Sequence, residues 1–369
     1  MTINYSLASV NNSRQQGVAL ITVMLIVALA SIIAAQMTTR LQVQMQRSTN
    51  ISFNQQAYWY ALGAEAFSKR VLITAFKEEP DVTHLEQIWA EGANSYPVDF
   101  GEIGGEITDL QSCLNLNALH PDAKSKDAAN SSGNSSTTGK GNKSKVTGAS
   151  TTAPQKKSGN NKKLPAATVL EALISNLNID GVSSFEAEAM VSALTDWLDK
   201  NDMVTGTGGA EDNDYASREF PYLAANNYLG SVNELRLIEH FTPEIILALM
   251  PYVCVLPQNS QHLININTIS PDQPELLRAL LDMSSDDAQS ALGARDSSGY
   301  ESIEDFFKLP EVSENQIEKW QKAQFVVDSE YFKLKANARF NNSYFNMTSI
   351  MQVTSNKQIQ VISRTIGRN

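Results

Sequence analysis

From Gln15 to Thr39 the chain carries no charge, and residues 18–35, VALITVMLIVALASIIAA, are almost wholly apolar. Eighteen helical residues at 1.5 Å each span about 27 Å, close to the hydrocarbon thickness of a bilayer. Charge returns at Arg40 and Arg47, and no second run of this kind follows. Beyond Arg40 the pattern changes from uniformly apolar to amphipathic. Leu41, Met45, Ala57, Tyr60, Ala61, Ala64, Phe67, Val71 and Leu72 largely keep helical spacing. No proline occurs before Pro80, and Gly63 is the only glycine after Gly17 in that stretch. The pattern predicts one helix from Val18 to Phe76, half of it suited to lipid.

The remaining pattern divides in two. Residues 96–116 (YPVDFGEIGGEITDLQSCLNL) alternate and are interrupted by Gly101, Gly104 and Gly105, which predicts a β-hairpin. Residues 165–250 are mostly helical in pattern, with runs such as ATVLEALISNLNI, FEAEAMVSALTDWLD and TPEIILALM. A strand-like HLINI precedes three more helical runs, PELLRALLDM, SSDDAQSALGAR and ESIEDFFKL, opened by Asp, Ser or Pro. From Tyr331 on, YFKLKANARF, NMTSIMQVT and KQIQVISRTIG read as strands separated by Asn341-Asn342 and Asn356. The expected fold class is α+β: a long N-terminal helix and an antiparallel sheet, with a large helical domain inserted between strands.

Charge sharpens the picture. Net charge is −11 over 369 residues, yet residues 1–47 hold three Arg and no acid, and residues 122–164 hold nine Lys and two Asp. The rest therefore carries −21. An acidic folded part argues against nucleic-acid binding and suits cations. Residues 122–164, rich in Ser, Thr, Gly, Asn and Lys, lack the apolar content to offset ordering entropy and read as a disordered insertion.

The apolar run admits three readings. A secretory signal would be shorter and end in small residues such as Ala28-Leu29-Ala30 or Ala34-Ala35; a plain signal anchor needs only length and flanking charge. The third is a short leader ending in Gly17 and cut before Val18, since Gly17 offers a protease a backbone with no side chain in the way. A helix running unbroken into its own soluble part favours the third, because a plain anchor has no need of one.

GVALITVMLIVALA, the long stem, then SCLNLNAL, TDWLDKND, GAEDNDY, SVNEL and LININT, in this order, resemble the K-type minor pseudopilins of type II secretion systems. The likeness covers nearly all of the chain except residues 122–164. It implies a leader (1–17) removed by prepilin peptidase between Gly17 and Val18, N-methylation of Val18, and a membrane-spanning half (18–39). It further implies a stem with the first pilin strands (40–119), the insertion (120–164), a helical insert (165–327, in parts 165–250 and 262–327) and closing strands (328–369). The insert is expected to be similar to SAM-like or helix-hairpin-helix-like modules. Expected partners are the I- and J-type minor pseudopilins, the major pseudopilin and the inner-membrane secretion assembly, with the head in the periplasm of a Gram-negative cell. Most pilins carry Glu at the fifth mature position; here Thr22 stands there. A lone carboxylate in hydrocarbon is costly unless paired, so its absence suits a tip subunit that docks beneath nothing.

Residues 196–215, DWLDKNDMVTGTGGAEDNDY, gather six acids around a glycine-rich turn. Oxygen ligands on an irregular loop suit Ca²⁺, although the spacing is not an EF-hand. Asp202, Glu211, Asp212 and Asp214 are the expected ligands, with Asp196 and Asp199 assigned to the preceding helix; the resemblance also implies calcium here. Cys113 and Cys254 are the only cysteines, and an exported pair is expected to form a disulfide. Asn115-Leu116-Asn117 and Asn265-Ile266-Asn267 are expected to tie loops through backbone groups. No catalytic constellation is found: the four His form no metal spacing and no nucleophile elbow occurs. The competing reading, a type IV pilus or DNA-uptake minor pilin whose insert binds nucleic acid, meets three carboxylates and no Gly at the corresponding turn, residues 282–287.

Overall fold

The structure is a computed structural model that describes residues 16–121, 163–354 and 356–367. Helix α1, Gln16–Glu78, is one unbroken element of 63 residues, about 94 Å long at the helical rise. It extends the expected span by two residues at each end. Most of residues 1–17, and the insertion except its edges, lie outside the described residues.

The upper part of α1 lies along a sheet. Ala57, Ala61, Ala64, Leu72, Ala75 and Phe76 face it and are buried; the alanines let backbone and sheet approach closely. The sheet has five strands: β1 (Asn94–Val98), β2 (Gly101–Asp109), β7 (Tyr331–Phe340), β8 (Ser343–Val353) and β9 (Ile359–Ile366). They lie side by side in that order, each neighbour antiparallel. In β7 the alternation read from sequence puts Phe332, Leu334, Ala336 and Ala338 against α1, with Lys335 and Asn337 turned outward.

The expected hairpin is shifted. Its turn is Asp99-Phe100, and Gly101, Gly104 and Gly105 lie inside β2. The reason is crowding: a Cβ on Gly101 would sit 1.8 Å from the carbonyl oxygen of Arg339 on the neighbouring strand. Glycine therefore marks close strand approach here, not the turn.

Glu65 fixes the stem to the far side of the sheet. Its carboxylate accepts from Arg364 Nε and Nη2, both at 2.9 Å, and from Ser349 Oγ at 2.7 Å. Burial pushes this carboxyl upward, but Arg364, Ser349 and Lys69 outweigh it and hold it below the ordinary glutamate range.

Between β2 and β7 the chain leaves the sheet to build the insert. Its helices are α2 (Pro165–Asn176), α3 (Ser184–Leu198), α4 (Asp212–Ala216), α5 (Pro243–Leu249), α6 (Pro274–Leu281), α7 (Ser285–Gly293), α8 (Ile303–Phe307), α9 (Pro310–Ser313) and α10 (Lys319–Lys322). Two short parallel ladders accompany them: β3 (Leu114–Asn115) with β4 (Val253–Cys254), and β5 (Ile264–Asn265) with β6 (Phe325–Val326). The insert is thus two units of the same build, each opening and closing on one ladder. β3, which follows the β1–β2 hairpin in sequence, pairs within the insert. The opening helices α2 and α6 pack on each other, and both units share one apolar core.

Candidate functional site

The outer face of the stem is the first candidate. From Val18 to Met45 every apolar side chain of α1 is exposed, and so are Ile51 and Trp59 further up. Thr22 donates to the carbonyl of Ala19 at 2.9 Å, so its hydroxyl is satisfied within its own helix. Among the described residues no acid occurs on α1 before Glu65.

The two asparagine pairs behave as expected and reveal a shared device. Asn117 donates to the carbonyls of Leu229 (3.0 Å) and Leu256 (2.9 Å) and accepts from Leu229 N–H (2.7 Å). Asn267 does the same in the second unit, donating to the carbonyl of Tyr300 (3.0 Å) and accepting from Tyr300 N–H (2.7 Å). Asn115 and Asn265 each accept from the N–H two residues on. The units share the run Asn-x-Asn-x-x-x-Pro, 115–121 and 265–271. Sequence reasoning treated the pairs singly and missed the repeat, although the spacing could have shown it.

Asp109, at the end of β2, joins the insert to the sheet. It accepts from Ser329 Oγ (2.6 Å), Thr268 Oγ1 (2.5 Å) and Gln111 N–H (2.7 Å). Burial pushes its carboxyl up to about 6 despite these donors. Cys113 and Cys254 form a disulfide with Cα atoms 5.8 Å apart, which closes the first unit beside its ladder.

The acidic loop leaves α3 and ends at α4. Asp196, on the last turn of α3, is fully buried and accepts from Thr205 N–H at 3.1 and 3.0 Å. Gly209 lets the loop close over it, because a Cβ there would lie 2.2 Å from Asp196 Oδ2. Asp199, also buried, accepts from Asn201 N–H and Nδ2. Asp212 accepts from Ala224 N–H and Asp214 from Glu211 N–H, each at 2.9 Å. Asp202 is exposed.

Glu211 is the anomaly. Both of its carboxylate oxygens are buried without a hydrogen-bond partner. Burial, then the charges of Asp196, Asp199, Asp202 and Asp212, push its carboxyl up to about 7. An orphaned carboxylate crowded by four others fits a hard divalent cation, which would offset both the burial and the repulsion. Among the described residues no three His, Cys, Asp or Glu side chains already converge as a metal cage. Of the four expected ligands, Glu211 is the orphan and Asp202 is exposed with its charge on Glu211, while Asp212 and Asp214 accept from backbone N–H groups; Asp196 and Asp199 add their charge.

The turn that corresponds to a phosphate-binding hairpin has Asp282 in the left-handed conformation, where φ is 54°, and Asp286 and Asp287 in the first turn of α7. Its charge repels phosphate.

Comparison with known proteins matches the family described as type II secretion system (T2SS), protein K, in two stretches, residues 112–258 and 264–328. These stretches enclose the two units of the insert. The chain is similar to type II secretion system protein K of Aeromonas hydrophila, 32% identical over 359 residues, covering 96% of this chain and 98% of that protein. It is similar to the protein of the same name from Dickeya chrysanthemi, 36% identical over 360 residues, covering 96% and 97%. Among solved structures it is similar to a chain of the GspK–GspI–GspJ complex of enterotoxigenic Escherichia coli, with a TM-score of 0.67, 28% identity, and coverage of 89% of this chain and 100% of that one.

Proposed function

Because this chain belongs to the type II secretion system protein K family, we propose that it is the tip subunit of a short periplasmic pseudopilus. As a member of that family it is a minor pseudopilin, a structural component of a secretion machine, and the DNA-uptake reading has no support among its relatives. The leader is cut by prepilin peptidase after Gly17, and Val18 becomes the methylated N-terminus. The apolar half of α1 then resides in the inner membrane with the head in the periplasm. The stem stacks against the stems of an I-type and a J-type minor pseudopilin above the major pseudopilin, since the similar solved structure is a complex of GspK with GspI and GspJ.

One observation carries this reading: a single helix passes without a break from an exposed apolar span into the head. Any packing of the span is thereby passed to the head as a rigid body. Thr22 leaves no carboxylate in the span that a neighbouring subunit would have to pair, which fits the tip position, although its bond back to Ala19 is equally that of any hydroxyl tolerated in a helix.

Calcium belongs to the same proposal. Glu211 with Asp196, Asp199 and Asp202 would hold the ion, which would supply the positive charge that this acidic loop lacks.

Mass spectrometry of the protein isolated from secreting cells tests the assembly reading. A methylated Val18 terminus and capture of the I- and J-type subunits are expected. An intact residue 1–17 segment, or heads spaced all along isolated fibres, overturns it.

A further inference from the structure

Arg40 and Arg47 are the only charged residues between Arg14 and Glu65. On a continuous helix they stand seven residues apart, about 10 Å along the axis and within about 20° of the same direction. Gln44 lies on the same face between them. Both arginines are exposed, and neither has an ionic or hydrogen-bonding partner among the described residues. The nearest following acid in sequence, Glu65, is held by Arg364.

Their height is set by the span. Residues 18–39 make about 33 Å of helix against a hydrocarbon core of about 30 Å. Arg40 therefore emerges at the hydrocarbon edge, and Arg47 stands just above the headgroup layer, from which its long side chain can reach back. This placement runs against the usual bias of basic residues to the cytoplasmic side. Once the leader is removed, no Lys or Arg remains on the N-terminal side, while two lie on the other. Two arginines that oppose the preferred orientation, and support nothing within the chain, point to a ligand outside it.

We propose that Arg40, Gln44 and Arg47 form a clamp for the headgroup phosphate of an anionic phospholipid in the periplasmic leaflet. The inference rests on the orientation given under Proposed function. A guanidinium grips phosphate oxygens through paired N–H donors, and an acidic head held above the same surface gains nothing from approaching it. The clamp holds the chain upright before assembly, and sister stems that replace lipid around α1 release it.

The test uses the full chain in detergent doped with phosphatidylglycerol or phosphatidylcholine, with retained lipid counted by native mass spectrometry. Phosphatidylglycerol is expected to be retained over phosphatidylcholine. R40Q and R47Q should each weaken its retention about 5-fold, the equivalent of about 1 kcal/mol per basic residue near an anionic surface. The double variant should lose about 25-fold, and Arg40→Lys with Arg47→Lys should keep most of the binding. Equal retention of both lipids, or unchanged retention in the double variant, overturns the clamp. So does a double variant that keeps its lipid but loses cross-linking to sister stems, since the arginines would then serve acidic side chains of another subunit. An alkaline phosphatase fusion after residue 369 reads the orientation separately. An inactive fusion overturns that premise, whereas an active fusion with unchanged lipid retention overturns the clamp alone.

Discussion

Replacing Arg364 by Met strands Glu65 between α1, β8 and β9. The carboxylate would lose two donors at 2.9 Å and keep Ser349 at 2.7 Å and Lys69 at 3.4 Å. Removing one member of a buried pair costs roughly 3–5 kcal/mol. Here the Arg364 side chain is 37% exposed and Glu65 is 5% exposed, so solvent screening lowers the expected loss to about 1.5–3 kcal/mol. Thermal unfolding of the solubilised chain, followed by near-ultraviolet circular dichroism, should show the midpoint several degrees lower. The double change Glu65→Leu with Arg364→Met should recover part of the loss, because no carboxylate is then stranded, while buried Ser349 Oγ still loses its acceptor. The pH dependence has a definite sign. With its folded pKa held below the ordinary value of 4.5, Glu65 contributes stability that is present above that value and lost as pH falls through the lowered one. The Arg364 variant should lack that acid-side loss. A single variant within 0.5 kcal/mol of wild type, or a double variant no better than the single, would refute the claim that this contact fastens the stem to the sheet.

Three further outcomes are expected. Reducing the Cys113–Cys254 bond releases a loop of 141 residues; chain entropy puts the loss at up to about 5 kcal/mol, and unfolding with and without reductant measures it. Without calcium, Glu211 favours its protonated form up to about pH 7, so the stability it permits is full below about 4.5 and falls as pH rises through 7. Glu211→Gln should therefore melt higher than wild type at pH 8 in chelator, by the equivalent of about 2–3 kcal/mol, and added calcium is expected to raise the midpoint of wild type but not of the variant. Asn267→Ala leaves the N–H and C=O of Tyr300 unmatched and should cost about 2–3 kcal/mol; Asn267→Asp should be no better, since it cannot donate, and hydrogen exchange at Tyr300 would report either change.

What sequence could and could not show follows from the range of the forces involved. α1 was legible because helical spacing is local, and β7 to β9 because alternation and the turn at Asn341-Asn342 are local too. The backbone-tying role of Asn117 was legible in kind, but its partners Leu229 and Leu256 lie more than a hundred residues on. The glycines of β2 were misread as turn markers because the crowding atom, the carbonyl of Arg339, belongs to a strand far along the chain. In the acidic loop, composition pointed to the right stretch. Which carboxylates crowd Glu211 depends on the angle at which α3 ends, and that angle is set by the fold of the loop over Asp196. Asp196 lies in the last turn of the helix and Asp199 caps it just past Leu198, and the charge of each acts on the orphaned group.

The order of strands in the sheet has a consequence for biogenesis. β2 waits for β7, whose first paired residue, Phe332 against Asp109, follows more than two hundred positions later. Contacts of such high sequence separation form late. Until β7 is made, β1 and β2 form a ribbon whose β2 edge is unpaired as well as that of β1, and the alanine-lined flank of α1 stays uncovered, both invitations to misassociation. Truncations that remove only the last forty residues should therefore be far more toxic to secretion than their small size suggests, because they leave the earliest-made strands permanently unsealed.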